Sequence, residues 1–461
     1  MTDPAAPAAR TSTPTAAERP HIVVIGGGFG GLAVIRRLAR ARRQGRLDAR
    51  VTLIDRRNHH TFQPLLYQVA TAGLQTQDVG ISLRAILRRE DVEIRLGEVA
   101  AIDHGRSAVV LAGGDEVTYD HLVIAVGAIT EDFGVPGVAE HAFGLKSLAE
   151  ATMLRNAVLQ RFEEASAARD VPGDTPGDED GTLTFVVAGG GPTGVELAGS
   201  LAELVDLVVR HDHPSLDMGR VRIVLVEAQD QLLGGFSARS SAAAIDGLEQ
   251  RGVDVRLGVG IARVDAGHVV LSDGEVIPAR VVIWAAGVAA SPLATTLGVE
   301  LARGRRIPID EQLGVVGLEN VFAIGDVAAG IGEDGRLLPQ VAPVAIQHAE
   351  HVVKVIVDRS AGRTPPAFRY RDKGSMATIG RAAAVAELPG GLRLRGFVAW
   401  IAWLLLHLLM LAGFRNRVSV LFSWIWNYAR RDHSARLILD QREAATAETV
   451  GGPVGRSWAG R

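Results

Sequence analysis

Short apolar runs, most of them followed at once by glycine or by an acid, punctuate the first two thirds of the chain. His21–Ile25 reads HIVVI, Val51–Ile54 reads VTLI, Thr184–Ala188 reads TFVVA and the segment 221–226 reads VRIVLV. Runs of this length without polar alternation predict strands covered on both faces, as in a parallel sheet. Between the members of each pair the apolar spacing lengthens to that of a helix, one running to about Arg43 and one starting at Val195-Glu196. Leu122–Ala128 (LVIAVGA) and Val281–Val288 (VVIWAAGV) are two further strand-like runs, each ending in Ala-x-Gly. Val321–Val327 (VFAIGDV) is another, ending in Gly325-Asp326, with a helix expected directly after it.

The C-terminal pattern is different. Phe397–Gly413 is 17 residues in which His407 is the only polar side chain, and 418–429 reads VSVLFSWIWNYA. Alone on an apolar segment, His407 is read as packed rather than as a ligand. The stretches 1–20, Asp170–Gly181 and 437–461 show no periodicity and are rich in Ala, Pro, Gly or acids. They are read as a disordered leader, a solvated loop and a disordered tail.

The glycines carry the first chemistry. Gly26, Gly28 and Gly31 follow the first strand at once as G-x-G-x-x-G, and Asp55 ends the next strand. In that frame the first glycine makes the turn, the second admits a pyrophosphate and the third lets helix and strand pack, while Asp55 meets a ribose. The frame repeats with Gly189, Gly191, Gly194 and Glu227, which implies two dinucleotides, or one cofactor and one co-substrate. Glu227 is followed by Ala228-Gln229, with no Arg to pair a 2′-phosphate, so the second site is expected to prefer NADH. Glu227 can also be read as an ordinary solvent-facing acid at a strand end. Gly127 and Gly287 close the two units, and Asp326 either accepts from a ribityl hydroxyl, caps a helix, or does both.

Composition then narrows the classes. With 461 residues, 47% of them hydrophobic, the chain is long enough for several cores. A net charge of −3 argues against nucleic acid as a partner. The absence of cysteine excludes disulfides, thiolate metal sites, Fe–S clusters and a redox-active Cys pair, and no metal site is expected. Mean hydropathy is +0.17, and the excess lies at the C-terminus. Residues 361–436 hold 12 Lys and Arg against three acids, and four of the six Trp, which suits an anionic membrane surface.

The order GGGFGG, Ala-Val-Gly, GGGPTG, Ala-Ala-Gly and IGD resembles the flavoproteins with two dinucleotide-binding domains, the disulfide-reductase-like superfamily. Phe62–Leu74 (FQPLLYQVATAGL), Pro339–His348 (PQVAPVAIQH) and Asp372–Gly380 (DKGSMATIG) narrow the resemblance to type II NADH dehydrogenases, from about His21 to about Leu439. Without cysteine, the thiol-relay reductases and sulfide:quinone oxidoreductases are set aside.

The resemblance implies an α/β fold with two Rossmann-like domains, the second inserted in the first, and a C-terminal membrane-associating helical region. FAD belongs to residues 21–128 and 289–366 (Gly26, Gly28, Gly31, Asp55, Gly127, Gly325, Asp326) and NADH to 129–288 (Gly189, Gly191, Gly194, Glu227, Gly287). The quinone and membrane region spans 367–436. The implied reaction is non-electrogenic: hydride passes from NADH to FAD and two electrons to a menaquinone or ubiquinone. Glu196 is implied to relay charge or protons, or else simply favours the helix dipole. Gln347 and Lys373 are implied quinone contacts. The family commonly has Ala-Gln-x-Ala-x-Gln where Ala342-Pro343-Val344-Ala345-Ile346-Gln347 stands here, so one amide is missing. The expected location is the cytoplasmic face of the cell membrane, held peripherally through 397–429, with a span at 397–413 as the lesser alternative and a homodimer compatible with the family. Rival readings are an NADH:ferredoxin or rubredoxin reductase of the same fold, and a flavoprotein that senses NADH.

Overall fold

The computed structural model describes residues 19–169, 181–430 and 435–438. The leader up to residue 18, the acidic segment 170–180 and the tail from 439 lie outside the described residues.

Two five-stranded parallel sheets carry the molecule, and in both the strand that precedes the glycine loop lies at the centre. In the first, the order is Val321–Ala323, His121–Ile124, His21–Ile25, Arg50–Asp55, Glu93–Leu96. In the second it is Ala142–Phe143, Val281–Trp284, Thr184–Ala188, Arg222–Glu227, Val253–Leu257. His21–Ile25 and Thr184–Ala188 are buried at every position, which is why their sequences show no alternation. Each unit also contains a three-stranded antiparallel sheet, at Val99–Asp103, Ala108–Leu111 and Glu116–Thr118, and at Ile261–Asp265, His268–Leu271 and Val276–Pro278. The chain passes between the units along Ala128–Thr130 and Val288–Ala290, which pair antiparallel.

Three strands are shorter than their apolar runs. Those at 121, 281 and 321 stop at Ile124, Trp284 and Ala323; after the first and the last of them the chain turns before Gly127 and Gly325, which take left-handed backbone. No long helix follows Asp326: Gly325–Val327 is a single 3-10 turn leading into Ala328–Ala329. The long helix starts only at Ala342 and runs to Ser360. Asp326 therefore caps no α-helix, although the first turns of that helix fold back over it: a Cβ on Gly325 would lie 3.0 Å from the Ala345 methyl.

The C-terminal region is a three-stranded antiparallel sheet, Ser375–Gly380, Ala383–Glu387 and Arg393–Arg395, followed by the helices Gly396–Met410 and Phe414–Arg430. Its first strand lies directly on the helix Pro192–Leu204, where a Cβ on Gly199 would meet the Ile379 carbonyl oxygen at 2.1 Å. Trp403, Trp424 and Val420 are buried in the same core as Phe62, Leu65 and Leu66. Among the described residues, no helix is long and apolar enough to cross a membrane.

Candidate active site and dinucleotide loops

The two glycine loops are built alike where helix meets strand. A Cβ on Gly31 would stand 1.7 Å from the Gly26 carbonyl oxygen, and one on Gly194 would stand 1.8 Å from that of Gly189. Any side chain there would push the helix off its loop, so the third glycine of each motif is a packing requirement. The middle glycines differ: where a Cβ on Gly28 or Gly191 would stand, nothing lies within 4 Å. These positions begin the helices Phe29–Arg43 and Pro192–Leu204 without a side-chain cap, leaving their first N–H groups and positive dipole ends for phosphate. Gly127 is likewise open, whereas Gly287 is covered by the Phe133 ring.

The acids at the strand ends hold the loops. Asp55 accepts from the backbone N–H of Gly27 at 2.5 Å and of Arg57 at 2.7 Å. Glu227 repeats this with Gly190 at 2.5 Å and Gln229 at 2.8 Å. Each carboxylate thus anchors its loop and retains lone pairs for a ribose. This double anchoring replaces the bland reading of Glu227 as a merely solvent-facing acid.

Around Asp326 the structure collects groups that sequence reasoning missed. Burial pushes its carboxyl above the usual range, opposed by the nearby Lys146 ammonium and Arg306 guanidinium. Arg306 is buried and donates to the carbonyls of Ala328 (2.8 Å) and Leu338 (2.9 Å), yet its Nη2 finds no acceptor. His348, fully buried on the helix Ala342–Ser360, accepts from the Gly325 N–H through Nδ1 at 3.2 Å, and its Nε2 is also unpaired. Burial, with Arg306 and His351 adding to it, lowers its pKa to about 3, so the ring is neutral. Orphaned buried donors beside an open glycine loop are what a bulky, acceptor-rich dinucleotide needs, and the residues fit FAD. His348 was legible as the neighbour of Gln347; Lys146 and Arg306 carried no motif.

Glu196 lies elsewhere, at the joint between the second glycine helix and the C-terminal sheet. It stands on the fifth residue of Pro192–Leu204, beyond the first turn, so a simple dipole role does not describe it. Its side chain is buried and its Oε1 accepts from the Thr378 N–H at 3.3 Å. Burial raises its pKa to about 8, with the bond from the Thr378 N–H opposing the rise. Tyr67, also buried, has its phenol raised by desolvation and by the Glu196 charge, and accepts from Gln68 Nε2 at 2.9 Å. Gln68 in turn accepts from the Trp424 indole at 2.8 Å, and Thr71 and Ser200 share a bond of 2.7 Å. Tyr67, Gln68, Ser200 and Thr378 line a cavity of about 40 Å³ with Trp400, Trp403 and Trp424. These residues lie within or beside the FQPLLYQ and KGSMAT segments, but nothing local marked them individually.

Gln347 and Lys373 sit at the start of the C-terminal region. The Gln347 amide both donates to the Arg371 carbonyl (2.9 Å) and accepts from its N–H (3.0 Å), tying helix to segment. Lys373 is exposed. Pro343 occupies the first turn of its helix, where the missing N–H would have had no helical partner anyway. His407 is packed: its ring stacks on Trp403 at 3.9 Å, its Nδ1 bonds the Trp403 carbonyl at 2.8 Å, and burial lowers its pKa to about 4. Among the described residues no cluster of His, Asp or Glu could hold a metal.

Comparison with known proteins accords with this geometry. Residues 20–349 match the family described as pyridine nucleotide-disulphide oxidoreductase, and 373–431 match the NDH2 C-terminal domain. The chain is 38% identical to type II NADH:quinone oxidoreductase Ndh of Mycobacterium tuberculosis, over 93% of this chain and 92% of that protein. It is 30% identical to the type II NADH:quinone oxidoreductase of Haemophilus influenzae, over 80% of this chain and 87% of that one. In fold it resembles NDH2 from Plasmodium falciparum in complex with NADH, with a TM-score of 0.81 at 20% identity over 92% of this chain and all of the other. The sulfide:quinone oxidoreductase of Aquifex aeolicus shares the fold at a TM-score of 0.63 and 19% identity, over 93% of this chain and 95% of that one. Two matched glycine frames, a C-terminal domain docked on the second, and these identities lead to one assignment: the chain belongs to the type II NADH:quinone oxidoreductase family.

Proposed function

We propose that the protein oxidises NADH and reduces a membrane quinone, with the net reaction NADH + H⁺ + quinone giving NAD⁺ + quinol. FAD, when bound, supplies the two-electron relay between the two substrates. Gly26, Gly28, Gly31, Asp55, Gly127, Gly325 and Asp326 would hold it, with His348 and Arg306 behind the Gly325-Asp326 turn. Gly189, Gly191, Gly194 and Glu227 hold NADH, and Glu227 disfavours a 2′-phosphate by charge repulsion. Glu196, neutral through most of the physiological range, is suited to hold and release a proton at Oε1 or Oε2 close to the joint of the two domains. Gln347 and Lys373 serve the quinone side.

Attachment to the membrane surface fits the C-terminal helices. Phe397, Val398, Ile401, Leu405 and Leu409 form an exposed apolar stripe at helical spacing, continued by Phe414, Phe422 and Trp426 on the second helix. Arg393, Arg395, Arg415 and Arg417 flank it. Such a face lies in an interface, and we place it on the cytoplasmic leaflet.

The observation that carries the reading is the pair of equivalent open glycine loops joined to a buried acid under a Trp-rich, exposed apolar terminus. The test is turnover of the FAD-loaded protein with NADH and a short-chain soluble quinone. Continuous NADH oxidation supports it, and a single stoichiometric cofactor reduction refutes it in favour of a sensor. Gln347→Ala should raise the quinone KM while NADH-driven cofactor reduction stays fast.

A further inference from the structure

The linker between the two nucleotide units carries one side chain that the reaction does not use. Phe133 has φ +54°, a left-handed backbone that a bulky residue rarely adopts, and its ring is 63% exposed although it is far in sequence from the apolar terminus. The ring lies on Gly287: a Cβ placed there would come within 2.4 Å of Phe133 Cζ and 2.8 Å of Cε2. Gly287 belongs to the Ala285-Ala286-Gly287 turn that abuts the second glycine loop. Ala285 N–H donates to the Ala188 carbonyl at 2.8 Å, and a Cβ on Gly189 would stand 2.5 Å from Ala286 Cα.

The turn carrying Phe133 is held without its ring. Glu131 N–H donates to the Gly287 carbonyl at 3.1 Å, the Trp284 indole donates to the Glu131 carbonyl at 2.7 Å, and Arg305 bonds the Glu131 carboxylate at 3.0 Å. Phe133 N–H donates to the same carboxylate at 3.2 Å. With the backbone fixed by these bonds, the exposed ring adds little burial to stability. What it does is cover the face of Gly287.

We propose that Phe133 is a movable aromatic cover on the dinucleotide site of the second unit, competing with NADH for the surface of Gly287. This rests on the assignment of that unit to NADH. A dinucleotide seated on Gly189 and Gly191 must turn the ring aside to reach Gly287, and the apparent affinity is reduced by the fraction of molecules in which the ring is in place. Because the bonds around Glu131 hold the backbone, the displacement is a rotation of the Phe133 side chain away from Gly287. The cover thus sets the NADH affinity rather than the rate of the chemical step.

The experiment uses the FAD-loaded full chain titrated with NAD⁺, which binds without reducing the cofactor, and reads the Kd by isothermal titration calorimetry. Phe133→Ala should lower the Kd for NAD⁺ and the KM for NADH by about threefold or more while kcat stays within about twofold. Phe133→Tyr, which keeps a ring of the same shape, should retain the original Kd. A higher Kd in Phe133→Ala overturns the proposal and makes the ring a stacking contact; an unchanged Kd places it outside the path. Glu227→Gln run in parallel separates the two assignments. If it weakens NAD⁺ binding while Phe133→Ala has no effect, only the cover fails. If neither variant changes the Kd, the NADH assignment of the second loop fails, and the cover with it.

Discussion

Glu196 offers a quantitative check on the buried joint. Its carboxyl is carried from an ordinary 4.5 to about 8 by burial. The folded protein holds the proton more tightly than the unfolded chain, so the stabilising contribution is complete below pH 4.5 and is lost as pH rises toward 8. At about 1.4 kcal/mol per pH unit, the whole loss amounts to about 5 kcal/mol, of which about 3 kcal/mol has occurred by pH 7. Gln at this position has nearly the shape of the protonated acid, can still accept from Thr378, and never ionises. Glu196→Gln and wild type should therefore have equal unfolding free energies near pH 4.5 and diverge above it, the variant being more stable by about 3 kcal/mol at pH 7. Denaturant unfolding of both proteins from pH 4.5 to 8 measures the difference, from which His348, His407 and every other titrating group cancel. Parallel curves across that range would refute the claim that this carboxyl is buried and neutral.

Glu227→Arg should invert the preference between NADH and NADPH measured as kcat/KM, and it also removes the acceptor of the Gly190 N–H; an unchanged ratio contradicts the NADH assignment. His348→Leu leaves the buried Gly325 N–H without its acceptor, at a cost of about 1–3 kcal/mol, and should speed FAD loss on dilution as read by flavin fluorescence. Leu405→Asp with Leu409→Asp changes only exposed positions, so the circular dichroism should be retained while sedimentation with anionic vesicles falls. Undiminished sedimentation rules out that face as the anchor. Truncation at Arg395 is a poorer test, because it removes Trp403 and Trp424 from the shared core.

The strands and glycine loops were readable because their cause is local. An apolar run of five residues and a glycine that must clear a carbonyl by less than 2 Å leave the same trace wherever they occur. The helix expected after Asp326 was misplaced because nothing in VFAIGDV announces that Gly325 turns left-handed and sends the chain into a loop before Ala342.

Residue types and their order along the chain were enough to propose two nucleotide loops with an acid at the end of each following strand, and to show the absence of cysteine and a basic Trp-rich end. Tertiary structure alone decided that Glu196 is buried under Thr378 and Trp403, that Tyr67 and Gln68 reach Trp424, that Lys146 and Arg306 face Asp326, and that Phe133 covers Gly287. The reason is distance along the chain. These partners are separated by as many as 356 residues, and burial, which sets their charge state, exists only once the domains have closed on one another.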